Sequence, residues 1–419
     1  MIAPIGPAVY IPGGDCQSII EALPENLVRY RDHAAWFISE IQKPIWRHRD
    51  KADPFTRLNN RILRQYVPQR PLTEIQTHLT DSGVIQTANH SQGRRARGYA
   101  MKESYKGVPA RHVIRDPKLS RKIRDKQIVA YTDRIDAGTR SIVEQRRPIL
   151  DAMRRSLVEL QLSESVSEIE RRLSGTVDSS HLRYAASTIA HGDHGPVYVD
   201  PFGRRVHSTI TYTTAELRPF FRFGKAELAL LDVRNSQPLV LAAFLKNAPH
   251  IKDLHHLLGE GAGIPPGVPA LDTDSCFTEL CETGLIYDKL AEDTGLTRAE
   301  VKHKMFVEVL FGRPRQRGRV SEAFSNRWPD VNTWIVEMKQ ANGYKVIAQI
   351  LQRTESTIII DGVCRRISEE MDGLPYLTIH DAILCPVKYA GAVEQIMLAE
   401  FERYGVAATI KTTELKATS

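Results

Sequence analysis

The sequence lacks several features that would each assign it to a known class of protein. It has no apolar run near the roughly 20 residues that a membrane-spanning helix needs, and its N-terminus has no basic start before a long apolar core. Its five cysteines are scattered without a CxxC pair, which argues against a zinc site or a disulfide framework. The phosphate-binding pattern GxxxxGK[ST] and the nucleophile pattern GxSxG are also absent. We therefore expect a cytoplasmic or nucleoid-associated protein that has no membrane partner.

What the sequence does contain is enough apolar residues for a large core, together with an excess of positive charge. Its 419 residues are 42% hydrophobic, and this length predicts two or three domains. The 57 Lys and Arg residues outnumber the 50 Asp and Glu residues, which fits a polyanionic partner such as nucleic acid. The basic residues concentrate in two clusters: residues 111–127, which a solvated helix face would also explain, and the run GRPRQRGR with Arg313, Arg315, Arg317 and Arg319.

Changes in composition divide the chain near residues 45, 128 and 190. The spacing of Leu72, Ile75 and Leu79 predicts a helix, and the two short strands that follow flank the polar loop ANHSQGRRA. Helices followed by a basic hairpin are typical of a winged helix, a fold used both for DNA and for protein partners. We expect the following four regions: an N-terminal arm (1–45), a winged-helix-like DNA-binding segment (46–128), a helical region (129–190) and a mixed α/β region (191–419).

Two aspartates occupy positions suited to metal binding. Asp232 follows an apolar strand in ELALLDVRNSQ, and Asp381 lies in the turn of the hairpin LTIHDAILCP. Carboxylates at strand ends suit a hard cation such as Mg²⁺, and two of them can hold a pair of Mg²⁺ ions for phosphoryl or nucleotidyl transfer. Each aspartate alone has a simpler interpretation, since such residues also cap helices and form turns.

A third segment predicts a helix with two cations and an aromatic ring on one face. Thr297 and Glu300 form a capping box, so a helix begins there. Arg298, Lys302 and Phe306 recur every four residues and therefore share a face. Such a face fits a nucleoside triphosphate, because the cations can contact phosphate oxygens while the ring lies against base or sugar. A mixed exposed face without function has the same spacing.

Taken in order, these segments resemble motifs A, B and C of family-A DNA polymerases (the polymerase I type) and of single-subunit phage-type RNA polymerases. The matching residues are Asp232 with Ser236-Gln237 for motif A, Arg298, Lys302, Phe306 and Phe311-Gly312 for motif B, and His380-Asp381 for motif C. The run GRRVHS, which contains Arg205, resembles the segment that precedes motif A in family A. The resemblance covers roughly residues 200–388.

The resemblance implies an α/β (α+β) fold with a right-hand polymerase palm built on a mostly antiparallel sheet. Residues 191–419 would form palm and fingers, and residues 129–190 a helical thumb, with the small winged-helix-like segment added before them. The implied function is that of a compact DNA polymerase without a proofreading exonuclease, a template-directed nucleotidyltransferase that uses two Mg²⁺ ions, with Mn²⁺ as a substitute. Its partners would be a DNA primer–template, dNTPs and a protein of replication or of a mobile element.

The resemblance also assigns roles to individual residues. Asp232 and Asp381 would be catalytic and hold the metals with the carbonyl of Val233, while His380 would brace the primer terminus or the motif C turn. The nucleotide-binding residues would be Arg298, Lys302, Phe306, Phe311 and Gln237. The nucleic-acid-binding residues would be Arg205, Arg313, Arg315 and Arg317.

The sequence departs from the family-A pattern at three places. Two additional residues separate Asp232 from Ser236, a spacing closer to the RNA polymerases. Gln237 stands five residues after Asp232 where a glutamate would help to exclude ribonucleotides, and the Phe-Gly that closes the helix lies one residue late. Phe306, in contrast, matches the DNA polymerases. RNA or primer synthesis therefore remains an alternative, as does a DNA-binding replication initiator with an inactive palm.

Overall fold

The chain folds around two separate hydrophobic cores. The structure, a computed structural model, describes residues 7–13, 15–47, 55–88, 96–102, 109–123, 137–175, 179–247, 275–314 and 317–417. One core gathers buried side chains between Val9 and Ile123, and the other gathers those between Ile142 and Leu415. We call these the N-terminal body and the C-terminal body. The expected arm (1–45) shares its core with the segment that follows it, so no core boundary lies near residue 45.

The N-terminal body combines short helices with two small antiparallel sheets, one of three strands and one of two. The predicted helix around Leu72 and the two strands after it are present, whereas Arg94 and Arg95 of the polar loop lie outside the described residues. Residues Glu25–Tyr30 form a 3-10 helix. Its elements are β1 (Ala8–Pro12), α1 (Asp15–Glu21), α2 (Arg31–Arg47), β2 (Thr56–Arg57), α3 (Asn60–Leu63), α4 (Gln69–Asp81), β3 (Ile85–Ala88), β4 (Gly98–Met101) and β5 (Pro109–Val113), and residues 117–123 are also helical.

The first half of the C-terminal body leads from helices into the main sheet. Pro148 occupies the first turn of a helix, where its missing N–H has no partner to lose. The elements are α5 (Ala137–Gln145), α6 (Arg147–Glu159), β6 (Leu160–Leu162), α7 (Val166–Arg172), α8 (Ser179–Ala190), β7 (Tyr198–Val199), β8 (Val206–His207), 3-10 helices at Thr209–Tyr212 and Ala215–Phe220, β9 (Phe221–Phe223) and β10 (Ala226–Val233).

The second half contains helices that pack mainly on one another, and three strands that return to the main sheet. Among the described residues, no helix combines the length and apolarity needed to cross a bilayer. The elements are α9 (Ser236–Asn247), α10 (Ser275–Glu282), α11 (Ile286–Thr294), α12 (Arg298–Lys304), α13 (Arg319–Arg327), α14 (Pro329–Asn342), α15 (Val346–Ser356), α16 (Arg365–Glu370), β11 (Leu377–Ile379), β12 (Ala382–Pro386), a 3-10 helix (Val387–Tyr389), α17 (Ala390–Arg403) and β13 (Ile410–Glu414).

The main sheet is antiparallel and positions the two aspartates at one end of its strands. Its strand order is β11-β12-β10-β9-β6, and β13 also pairs with β10. Leu231 on β10 lies opposite Ile383 on β12, so the end of β10 reaches the turn between β11 and β12. On the other side β13 aligns Lys411 with Asp232. This mixed α/β architecture agrees with the predicted α/β (α+β) class and with its mostly antiparallel sheet.

Polar contacts on Asp193 join the two bodies. Its carboxylate accepts hydrogen bonds from the Arg111 guanidinium (Nε to Oδ2, 2.6 Å; Nη2 to Oδ1, 2.9 Å) and from the Tyr10 hydroxyl (2.8 Å). A cavity of about 340 Å³ lies beside these contacts. Its aromatic lining comes from both bodies: Tyr10, Trp36, Tyr66, Tyr184, Tyr198 and Tyr212.

Two helices of the C-terminal body continue into π-helical segments. These segments are Met305–Leu310 after α12 and Thr357–Cys364 after α15. The Phe311 N–H donates to the Phe306 carbonyl five residues earlier at 2.8 Å, the bond that defines a π-turn. The Lys339 ammonium donates to the Val309 carbonyl within the first segment. Lys339 is only 3% exposed, and burial lowers its pKa to about 8.

Replacing Lys339 by methionine tests the energy of this buried cation. In the unfolded chain the pKa of the ammonium lies near 10.5, so between pH 8 and 10.5 the unfolded state binds more protons than the native state. The wild-type free energy of unfolding should therefore rise with pH across this range relative to Lys339→Met, by up to about 3 kcal/mol. Urea unfolding at pH 7.5 and pH 10 measures this difference. The exposed Lys225, changed to methionine, should show no such pH dependence.

Candidate active site

Two carboxylates meet where strand β10 ends beside the β11–β12 turn. Burial raises the pKa of Asp232, and the negative charge of Asp381 raises it further. Burial likewise raises the pKa of Asp381. The strand register explains this proximity, because Leu231 and Ile383 are paired directly beneath the two aspartates. The sequence-predicted pair is therefore brought together, and its members repel each other.

Strained backbone borders the site at three points. Among the described residues, the non-glycine residues with positive φ are Arg204 (56°), Asn235 (49°) and His380 (60°). Each directly precedes a segment with predicted site residues: Arg205, Ser236-Gln237 and Asp381. Such left-handed conformations are unfavourable for side chains with a Cβ and persist only where surrounding contacts impose them. Their concentration here indicates that the fold holds these side chains in directions that ordinary turns would not give.

Cations surround the aspartate pair and offset its repulsion. The positive charges of Lys302, Lys411 and Arg218 each lower the pKa of Asp232, and those of Arg205 and Lys302 lower the pKa of Asp381. Lys302 is thus the predicted triphosphate ligand that acts on both carboxylates, and its side chain is exposed. Sequence reasoning missed Arg218 and Lys411, since neither belongs to a recognisable motif.

Helix α12 is fixed to the turn that follows β10. The predicted capping box is present: the Glu300 N–H donates to the Thr297 hydroxyl at 3.3 Å, and the Thr297 N–H donates to the Glu300 carboxylate at 2.9 Å. Arg298 in the first turn donates to the Asp288 carboxylate (3.2 Å) and to the Asn235 side-chain oxygen (3.3 Å). Arg298 therefore links the helix to the segment between Asp232 and Ser236.

The π-turn brings Phe311 back to the side of Phe306. Their ring centroids lie 5.2 Å apart at an interplanar angle of 37°. In a regular α-helix, residues five apart point in different directions, because neighbours on one face are three or four apart. The additional residue of the π-turn compensates, and it accounts for the Phe-Gly that stands one residue late in the sequence. Both predicted aromatic residues are half-buried and lie on the same side of the helix.

The arginine cluster after this helix presents its side chains to solvent. Arg313, Arg317 and Arg319 are exposed, whereas Arg315 lies outside the described residues. The Glu308 carboxylate anchors the far side of the cluster by accepting the N–H groups of Val320 (3.1 Å) and Ser321 (3.2 Å). Arg313 and Arg317 therefore lie in a loop, and Arg319 begins α13, whose first turn is tied to the preceding helix through Glu308.

A third carboxylate, Glu355, lies behind the site and was missed in the sequence. It is 2% exposed, and its pKa is raised to about 7, chiefly by burial. Arg205 donates to it twice (Nε to Oε1, 2.8 Å; Nη2 to Oε2, 2.7 Å), and the Gln237 amide also donates to it. The predicted nucleic-acid ligand Arg205 and nucleotide ligand Gln237 are thus held by one buried group. The available signal was a glutamate within the apolar helical run LQRTESTIII.

His380 is neutral in this environment. Partial loss of water around its ring lowers its pKa to about 4, and the positive charges of Arg205, His207 and Arg218 act in the same direction. The residue is exposed, and its ring lies edge-on to that of His207 with centroids 6.2 Å apart. His207 stacks in turn on Tyr198 and Tyr212. A neutral imidazole can donate or accept a hydrogen bond but supplies no fixed charge.

The donor set at the sheet edge fits Mg²⁺ that is shared with a substrate. Within the described part of the chain, no three His, Cys, Asp or Glu side chains converge into a ligand group. Two carboxylates do converge, and the pKa of each is raised. A bound divalent cation would lower both pKa values, because its positive charge favours the ionised form. Mg²⁺ in proteins is often bound by one or two carboxylates together with substrate phosphates and water. Val233, whose carbonyl was predicted as a further ligand, ends strand β10 next to Asp232.

Comparison with known proteins finds distant likeness among solved structures. No protein-family model matches the chain, and no curated protein matches it. Among solved structures, it is similar to the POL domain of Pol1 from M. smegmatis, determined as a complex with DNA primer-template and dNTP. The identity is 13% and the TM-score 0.29, over 66% of this chain and 65% of that chain. A likeness of this size carries no functional argument, so the function is argued from the site's own geometry.

Proposed function

We propose that the protein is a compact template-directed nucleotidyltransferase, and specifically a DNA polymerase without a proofreading exonuclease. The observation that carries the proposal is the placement of Lys302. Its exposed cation acts on both Asp232 and Asp381, which supports a site in which the proposed metal-binding pair and the proposed phosphate-binding helix serve one substrate. Nucleotidyl transfer needs this combination, because catalysis depends on stabilising charge and on positioning rather than on a reactive side chain.

In this proposal α12 binds the incoming nucleotide. Lys302 and Arg298 contact the triphosphate oxygens, which are strong acceptors for ammonium and guanidinium donors. Arg298 is kept in place by Asp288 and Asn235, so part of its freedom is lost before the nucleotide binds. Phe306, supported by Phe311, packs against the base or sugar. The residues of this helix orient the α-phosphate toward the primer terminus and exclude water from the nucleotide.

Asp232 and Asp381 are proposed to hold two Mg²⁺ ions, with the Val233 carbonyl as an additional ligand and Mn²⁺ as a substitute. When bound, the metals would stabilise the charge that develops on the attacking and leaving oxygens. Lys302, Arg218 and Lys411 limit the repulsion between the carboxylates in the meantime. His380, neutral near pH 7, would brace the primer terminus through a hydrogen bond from its ring.

The remaining basic residues are proposed to contact nucleic acid. The exposed Arg313, Arg317 and Arg319 extend beyond the nucleotide-binding helix, where a template backbone would pass. We propose that residues 191–419 act as palm and fingers and residues 129–190 as a thumb. The N-terminal body, with its winged-helix-like helices and hairpin, would bind DNA or a protein partner of replication or of a mobile element.

Removing either carboxylate tests the assignment directly. Asp232→Ala and Asp381→Ala should each abolish primer extension with Mg²⁺ and labelled dNTPs, because each is proposed to hold metal. Affinity for the primer–template should stay near the wild-type value, since the aspartates carry no positive charge for phosphates. Gel-based extension and fluorescence anisotropy measure the two quantities.

Asp372→Ala provides the matched control, since this carboxylate is exposed in the loop before β11. It should leave extension unchanged. Near-normal incorporation by either active-site variant would refute the assignment. A wild-type protein that binds DNA but incorporates neither dNTPs nor rNTPs would favour a replication initiator with an inactive palm.

Replacing Lys302 by alanine tests the triphosphate contact. A lost charge-assisted contact should lower kcat/KM for the nucleotide by about 1–3 kcal/mol of transition-state stabilisation. Steady-state incorporation at varied dNTP concentration measures it. Lys225→Ala is the matched control, because Lys225 is exposed at the opposite end of β10, about 20 Å from Asp232. If Lys302→Ala weakens only primer–template affinity, the residue contacts the template strand instead.

Competition between dNTPs and rNTPs tests sugar selection. Phe306 lacks a hydroxyl that could organise contacts to a ribose 2′-OH, whereas the neutral Gln237 should reject a ribose less strictly than a glutamate would. We expect a preference for dNTPs, with selectivity about tenfold to a hundredfold below that of a strict DNA polymerase. Single-nucleotide incorporation on one primed template gives the ratio of the two kcat/KM values. A clear preference for rNTPs would favour RNA or primer synthesis, the alternative that Gln237 supports.

A further inference from the structure

Glu355 stands out among the buried ionisable groups because it contacts two separate segments of the site. Arg205 precedes it by 150 residues and Gln237 by 118 residues, yet both side chains donate to its carboxylate. One buried carboxylate thus connects the loop before the main sheet with the turn after Asp232.

We propose that Glu355 is a positioning residue for nucleotide incorporation and sugar selection, which acts by fixing Arg205 and Gln237 beneath Asp232 and Asp381. The inference rests on the proposed nucleotidyl-transfer function and deepens it. Glu355 is 2% exposed and has no access to a nucleotide, so its influence passes through the two side chains it holds.

Attachment of the Arg205 loop to helix α15 does not by itself require a carboxylate. Arg353 on the same helix donates to the carbonyls of Phe202 (2.8 Å) and Pro201 (3.1 Å), and the Ser356 hydroxyl donates to the Arg204 carbonyl (2.5 Å). These neutral acceptors already dock the loop on the helix. Glu355 adds what they do not: two bonds to the Arg205 guanidinium and one to the Gln237 amide.

The chemistry of the network explains why a charged group stands there. A carboxylate matches the fork of a guanidinium with two parallel hydrogen bonds, which fixes both distance and direction. A buried carboxylate is unfavourable without such partners, so the network selects one arrangement of Arg205 and Gln237. Burial nevertheless raises the pKa of Glu355 to about 7, so part of that unfavourable energy remains in the native state.

Glu355→Gln is the first test, because it keeps the size of the side chain and removes its charge. We expect the variant to fold, with kcat for dNTP incorporation reduced tenfold or more and the dNTP-to-rNTP ratio of kcat/KM shifted at least threefold. If the ion pair between Glu355 and Arg205 were merely structural, its loss would lower the melting temperature and leave the dNTP-to-rNTP ratio unaltered. Wild-type kcat, KM and sugar ratio in the folded variant would overturn the proposal.

Arg353→Gln is the matched control on the same helix and the same loop. It removes the hydrogen bonds that the Arg353 guanidinium donates to the carbonyls of Phe202 and Pro201. It should lower the melting temperature without moving the sugar ratio. An equal shift of the ratio in Arg353→Gln would show that general loosening of the loop is responsible, which would also overturn the proposal.

Exchanging the amide of Gln237 and the carboxylate of Glu355 between the two positions gives a second, independent test. Gln237→Glu alone puts two carboxylates side by side in a buried place and should lower the melting temperature and the activity. Gln237→Glu combined with Glu355→Gln restores a single carboxylate and one amide, and should recover part of both losses. Strictly additive losses would contradict a shared network.

Two further outcomes separate this inference from the proposed function. If Glu355→Gln does not fold, Glu355→Asp is the variant to test, because it keeps the charge but shortens the side chain by one methylene. An unaltered sugar ratio in folded Glu355→Asp would overturn the proposal. If Asp232→Ala retains incorporation, the proposed function fails. If Asp232→Ala is inactive while Glu355→Gln behaves as wild type, only the role of Glu355 fails.

Discussion

Repulsion between two carboxylates at the end of an antiparallel strand pair is the constraint on which the rest of the site depends. Asp232 and Asp381 are forced together by the register that sets Leu231 opposite Ile383. The fold does not relieve this by separating them, and instead brings cations from distant parts of the chain: Lys302 from α12, Lys411 from β13 and Arg218 from the segment before β9. Such an arrangement is stable but incompletely neutralised, which is the state that suits binding of a divalent cation together with a polyphosphate.

The parts of the site that the sequence predicts are those encoded by local patterns. The capping box at Thr297 and Glu300 starts α12 where it was expected, and the apolar run before Asp232 forms the central strand. The turn at His380 and Asp381 follows from two short apolar runs that can pair only as a hairpin. In each case neighbours within a few residues determine the conformation, so one sequence suffices to recognise it.

The parts that the sequence does not predict depend on contacts between distant segments. Glu355 belongs to the site only because α15 packs against the loop that carries Arg205. The spacing of residues around Glu355 in the sequence does not predict this contact. No strand is predicted from the sequence for the N-terminal arm (1–45). It forms β1, which pairs with β5 about a hundred residues later, a pairing that depends on long-range hydrogen bonds. Strand β6 is similarly specified by β9 and not by its three residues.

The π-turn after α12 shows how a departure in sequence can preserve a geometry. In a regular α-helix, Phe311 would stand one residue too late to share a face with Lys302 and Phe306. In the sequence this position departs from the motif B pattern. A bond across five residues takes up the additional residue, and the two rings pack 5.2 Å apart. Such a turn is less favourable than an α-helical one and needs support from outside, which the buried ammonium of Lys339 gives by donating to the Val309 carbonyl. An unfavourable backbone and an unfavourable buried cation thus stabilise each other, and their joint effect is to keep an aromatic pair beside the proposed nucleotide site.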